Sequence, residues 1–178
     1  MSFDPDVNEC LTAAAWLVNS VGPPDRLQEV ADLERFLDEH HYTGRLDRDR
    51  AELESVRASR TELRRLLTTE RDEAPEVINT VLRTGGAVPQ LVRHAPRGWH
   101  LHAVDATEPL ATRLLVETAL AMSAVVISGE TSRISTCAAS RCENVVVDLT
   151  RNRTKRFCGV TCGNRAAAAA YRLRQSTG

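Results

Sequence analysis

Four cysteines in the last quarter of the chain, Cys137 and Cys142 followed by Cys158 and Cys162, constrain its fold more than any other feature. They form two short-spaced pairs with fifteen residues between the pairs, the spacing with which a four-thiolate zinc site is written in sequence. Each short loop can set two sulfurs on adjacent corners of a tetrahedron, and the segment between is long enough to return as a hairpin. Four thiolates leave no open coordination position, so such a site builds structure and does not activate water. The pattern points to a recognition module and away from an enzyme.

Other chemistries use the same residues. Two disulfides need an oxidising compartment, whereas the opening residues 1–6 have neither a basic start nor an apolar run of signal-peptide length. Four thiolates also hold iron–sulfur clusters, and a zinc–thiolate cage can double as a redox switch. Cys10 sits apart in an apolar stretch and reads as an ordinary buried thiol.

Charge is distributed unevenly. From residue 149 onward there are seven basic side chains, Arg151, Arg153, Lys155, Arg156, Arg165, Arg172 and Arg174, and no acidic one. The first 148 residues carry 16 basic against 24 acidic groups, so a net charge of −1 for the whole chain hides an anionic body with a cationic end. Zinc with four thiolates has a formal charge of −2, which two of the seven would balance, leaving a surplus of about five for an outside anion. A polyanion such as DNA is the natural candidate.

The 178 residues are 42% hydrophobic and only 4% aromatic, enough for one aliphatic core of ordinary size plus a small appendage. No apolar run reaches the roughly 20 residues that span a bilayer, so the expectation is a cytoplasmic protein with no membrane contact.

Periodicity predicts a mostly helical first part. A helix is expected over about 7–20, ended by Gly22-Pro23-Pro24, and a second, capped by Asp25, carries Leu27, Val30, Leu33 and Leu37. A third follows Asp47, its many Glu and Arg residues forming surface ion pairs. A short one opens at Pro75 and closes at Gly85-Gly86. Residues 87–94 and 99–104 then read as a hairpin around 95–98. His100 and His102 share one face of its second strand and, with Trp99, are candidates for lining a small-molecule effector pocket. Thr107 is expected to cap a long apolar helix that reaches about residue 126 and forms the buried centre of the larger domain.

Residues 128–132 read as the boundary between a first domain over 1–128 and a metal-binding module over 129–178. In the module, 137–142 forms the first metal-binding turn and 145–147 a strand. Residues 150–154 turn that strand back towards Cys158, and a helix follows through 166–170. The fold class is therefore α+β: a mostly helical N-terminal domain with a small β-hairpin, and a C-terminal zinc finger of knuckle, hairpin and helix that resembles a treble clef. About fifty residues with so few apolar groups depend on the metal for folding free energy.

Cys162-Gly163-Asn164-Arg165 is the signature of the CGNR zinc finger family, and the upstream cysteine pair, Asp148, Arg151-Asn152-Arg153 and Arg156-Phe157-Cys158 resemble its other marks. Phe157 stands where that family often has tryptophan, and Ala167 where a basic residue is common. The region before the finger resembles the ABATE domain, whose opening motif is similar to Leu17-Val18-Asn19-Ser20. The resemblance implies a stress-induced transcription regulator of bacterial type.

The expectation from sequence is thus a non-enzymatic regulator that binds DNA through its seven basic C-terminal residues, with one structural zinc fixing their orientation. Arg165 has two readings, a DNA contact or an internal partner of Asp148. The first domain would act as a sensor or as the interface of a homodimer. The alternative is a zinc-stabilised protein–protein interaction module, with or without a thiol redox switch.

Overall fold

A computed structural model describes residues 3–94 and 98–176. Helix α1, Pro5–Asn19, starts where the Asp4 carboxylate accepts the Asp6 N–H at 3.0 Å, and Pro5 suits the first turn because it lacks an N–H to satisfy. Helix α2 is Val30–Glu39, α3 is Arg50–Thr68 and α4 is Ala74–Thr84. Strands β1 (Gln90–His94) and β2 (Gly98–His102) pair antiparallel, with Leu91 opposite Leu101 and Arg93 opposite Trp99. Part of the expected turn, 95–97, lies outside the described residues, as do the side chains of His94 and His100.

Helix α5, Leu110–Ile127, packs against α1, α3 and α4 and buries Leu110, Leu114, Ala119, Met122 and Val125. This is the central helix expected from its apolar composition. By length and hydropathy α5 is also long enough to cross a membrane, a property the reading of apolar runs passed over; half of it is buried among its neighbours. Around it lie Leu11, Leu17, Leu33, Phe36, Leu53, Leu63 and Leu66, each at most 1% exposed, and burial of each such side chain contributes about 1.5–3 kcal/mol. The few aromatics gather at one corner, with Phe36 5.1 Å from Trp16 and 5.6 Å from Tyr42 between ring centroids.

Two expected caps, Asp25 and Thr107, are corrected, and α3 is capped by a residue beyond Asp47. Asp25 does not open α2; it accepts the Leu27 N–H and two hydrogen bonds from Arg60 of α3, at 2.7 and 2.9 Å. The α2 start is instead held by Asp32, whose carboxylate takes the Gln28 and Glu29 N–H groups. Asp49, two residues beyond Asp47, caps α3 through the Glu52 N–H, while Asp47 pairs with Arg45. Thr107 is held by Asp105 in a local turn and α5 begins three residues later, after Pro109. Asp25 and Asp47 are each drawn to an arginine, and Thr107 is taken up by Asp105. Gly86 closes α4 with φ +63°, and a side chain at Gly85 would collide with Val116 of α5, so the expected glycine pair ends the helix as read.

A 3-10 turn, Thr131–Arg133, leads into β3 (Ile134–Thr136), which pairs antiparallel with β4 (Val145–Val147); α6 spans Val160–Ser176. The strand 145–147 is where sequence placed it, but its partner lies upstream of Cys137 and not after the turn at 150–154. The first metal-binding loop is thus the connection of the hairpin itself.

Strand β4 joins two cores. Val145 and Val147 enter the helical core, and Val146, on the other face, packs with Cys137, Ala139 and Cys162. Three consecutive buried valines follow from this position, since each face of the strand has a core to fill. The segment before it is pinned as well. Arg133 is 5% exposed; its Nη1 donates to the Asp148 and Thr150 carbonyls at 3.0 Å each, and its Nε to Glu130 at 2.6 Å.

Candidate metal centre

Cys137 and Cys142 flank the tight loop between β3 and β4, closed by a hydrogen bond from the Cys142 N–H to the Ala139 carbonyl. Cys158 lies two residues before α6 and Cys162 in its first turn, so the helix start aims both sulfurs at the loop. All four Sγ atoms lie within 4.8 Å of one another. Cys142 and Cys158 stand 3.8 Å apart, Cys158 and Cys162 3.6 Å, and Cys162 and Cys142 3.7 Å. Sulfurs at tetrahedral corners about 2.3 Å from a central ion are about 3.8 Å apart, so the cage has the size of one zinc ion.

Two of the sulfurs accept hydrogen bonds from nitrogen donors. The Cys158 N–H points at Cys137 Sγ at 3.4 Å, and the Asn144 side-chain amide donates to Cys158 Sγ at 3.4 Å. Burial alone would raise the Cys137 thiol, but the Ala139 and Cys158 N–H groups outweigh it and lower the pKa to about 7. No disulfide links these cysteines. Cys10 packs beside the helical core.

Asp148 at the end of β4 organises the basic turn. Its carboxylate accepts the Thr150 N–H and hydroxyl and, at 2.8 Å, the Lys155 N–H. Burial works against its charge, yet the Thr150 and Lys155 hydrogen bonds prevail and hold its pKa below the usual carboxylate range. Arg165 is not its partner: that side chain is exposed and pairs with no carboxylate among the described residues.

The seven basic residues divide. Arg151, Arg165 and Arg172 are exposed and make no ion pair among the described residues. Arg156 is exposed beside the Phe157 ring, 5.8 Å from its centroid, and Arg174 is exposed near the end of α6. Two point back to the protein. Arg153 pairs with Glu130 at 2.6 Å, and Lys155 Nζ donates to the Val147 carbonyl at 3.1 Å. A cationic side chain written in sequence carries no sign of the carboxylate that will meet it.

Of the pocket expected at Trp99, His100 and His102, the His100 side chain lies outside the described residues. Alternation along β2 puts Trp99 on the face opposite to His102; Trp99 is 64% exposed, while His102 Nδ1 lies 3.3 Å from Glu117 on α5. Two clefts among the described residues, one at the α1–finger seam and one beside Gly85 and Val104, are lined by other side chains.

Sequence reasoning gave no role to Asn19 or Asn144. Asn19 Nδ2 donates to the Val145 carbonyl at 2.8 Å, and its Oδ1 accepts the Val145 N–H at 2.7 Å. The signal was an amide at the end of an apolar helical run, within the same Leu17–Ser20 motif that carried the resemblance.

Fold and site together define a helical domain that carries a metal-held finger of four cysteines on its own core. Residues 133–175 match the CGNR zinc finger, and residues 11–129 match ABATE, described as "Putative stress-induced transcription regulator". The chain therefore belongs to the ABATE family, with a CGNR zinc finger following that domain, and its cofactor is one structural zinc. It has no match among curated proteins.

Proposed function

We propose that this protein is a transcription regulator that binds DNA through its zinc-held basic end, with no catalytic activity of its own. The observation that carries the reading is the set of exposed arginines on the finger, Arg151, Arg156, Arg165, Arg172 and Arg174, fixed to a folded body that is otherwise anionic. The regulator class agrees with the family description. In this reading residues 129–178 grip phosphates and residues 1–128 sense a signal or pair two copies in the cytoplasm. Five phosphate contacts give a log–log salt dependence of binding with slope about −4 to −5, roughly −0.9 per contact. A slope near zero on duplex DNA, measured with the full zinc-loaded chain, refutes it.

Exposed apolar side chains beside those arginines favour one second reading, a protein-interaction module. Val160 is 80% and Tyr171 58% exposed on α6. Competition separates the two, since an interaction module keeps its protein partner in excess duplex.

A further inference from the structure

The seam between the helical domain and the finger forms an open cleft of about 670 Å³ that the expected functions leave unused. One wall is α1 and the loop after it, with Trp16 and Arg26; the other is the finger, with Asn144, Leu149, Lys155 and the metal ligand Cys158. Its size suits a small organic molecule, for which cavities of about 300–1,000 Å³ are usual.

Apart from the metal ligand Cys158, the charged side chains of the lining are of one sign. Two cations face the space and no Asp or Glu does. Arg26 lies over the Trp16 ring, 4.7 Å from its centroid, and its guanidinium makes no ion pair or hydrogen bond to the described residues. Stacking therefore fixes a planar fork of donors without using any of them. Lys155 spends one of its three donors on the Val147 carbonyl. By contrast the Asn19 amide is fully committed to Val145, and Asn144 gives its amide to Cys158. The uncommitted charged donors of the lining are thus Arg26 and Lys155, beside an indole and aliphatic valine and leucine surface.

We propose that this cleft binds a small planar monoanion, an aromatic carboxylate, with its head group on Arg26 and its ring against Trp16 and the finger. One negative charge fits better than several, because the thiolate cage at the Cys158 wall opposes every negative charge and Arg26 and Lys155 are the two cations there to offset it. Such a molecule touches both halves of the chain, so its binding stabilises the docked finger. Because Lys155 lies beside the DNA-facing turn, occupancy also offsets part of the basic end; that consequence alone rests on the DNA reading.

The test uses the full zinc-loaded chain without DNA, so its outcome is independent of whether DNA binds. Benzoate, 2-naphthoate and indole-3-carboxylate are each titrated by calorimetry beside their neutral amides. Quenching of Trp16 is followed in a Trp99→Phe background, where it is the one remaining tryptophan. At least one carboxylate should bind ten-fold or more tightly than its amide and quench Trp16. Arg26→Gln, which keeps side-chain length, should weaken it at least ten-fold, while Arg35→Gln on the exposed side of α2 leaves it unchanged. Unaltered zinc content and circular dichroism of Arg26→Gln confirm that the fold persists. The proposal is overturned if none of the three carboxylates is preferred over its amide, or if Arg26→Gln binds as wild type does.

Discussion

Asn19, the last residue of the first helix, exchanges two hydrogen bonds with the backbone of Val145, 126 residues further on, at 2.8 and 2.7 Å. Its amide offers one donor and one acceptor, as the residue of a neighbouring strand would, and so completes β4 from the side of the helical domain. Arg64 of α3 adds a second tie, donating to the Glu143 carbonyl at 2.8 Å. The finger is bolted to the helices by backbone, and its strand fills their core.

Asn19→Ala should therefore act on the whole molecule. It removes both partners of a part-buried backbone pair, and each orphaned group costs about 1–3 kcal/mol. A loss of about 2–4 kcal/mol is expected, read as a lower urea midpoint with an unchanged slope. A wild-type midpoint would mean that water replaces the amide freely.

Removing the metal tests the same connection from the other end. Cys158→Ser should lose the single zinc equivalent and release the loop that holds β4 in place. Val145 and Val147 belong to the helical core, and withdrawing each costs about 1.5–3 kcal/mol of burial. Hydrogen exchange in α1 and α3, the helices packed on β4, should accelerate by at least ten-fold. Exchange confined to the finger would show two independently folding parts, as the sequence alone suggested.

The contrast between those outcomes shows what was legible in the sequence. The helices announced themselves through apolar spacing, and Cys137, Cys142, Cys158 and Cys162 through local pairs whose chemistry has few uses. Both signals lie within a few residues of each other along the chain. What escaped was set by distant partners: Asp25 looked like a cap because Arg60 is 35 residues away. Arg153 looked available because nothing in 150–154 reveals Glu130. Strand β3 is three residues long with only Ile134 apolar, too short for any periodicity to register. Val145-Val146-Val147 was recognised as a strand, but the need for two cores to bury all three was visible only with the helices in place.

The Asp25–Arg60 pair makes stability depend on acid. Arg60 is 6% exposed and donates twice to Asp25. Those hydrogen bonds, ahead of the opposing effect of burial, hold the Asp25 pKa below its ordinary value. A carboxylate with a depressed folded pKa adds stability above its unfolded value of about 3.9 and loses it as pH falls through the folded value. Asp25→Asn should cost about 1–3 kcal/mol at pH 7, and the gap from wild type should narrow as the pH falls below the unfolded value and through the lowered folded one. A difference that persists undiminished in acid would assign the cost to packing.

The basic end offers the sharpest separation between charge that is present and charge that is available. Arg151 and Arg153 sit two residues apart on one turn, yet only Arg153 is engaged, by Glu130 at 2.6 Å. A cation already neutralised releases fewer counterions from DNA than one that faces solvent. Arg151→Ala should reduce the salt slope of duplex binding by about one and weaken affinity similarly on every sequence tested. Arg153→Ala should change the slope much less, and Glu130→Gln, which frees Arg153, should steepen it by up to about one. Binding titrations at 50–200 mM salt on the three variants decide the matter. Equal effects of Arg151→Ala and Arg153→Ala would mean that Arg153 leaves Glu130 for the phosphate, and a slope unmoved by all three would take the turn out of the interface.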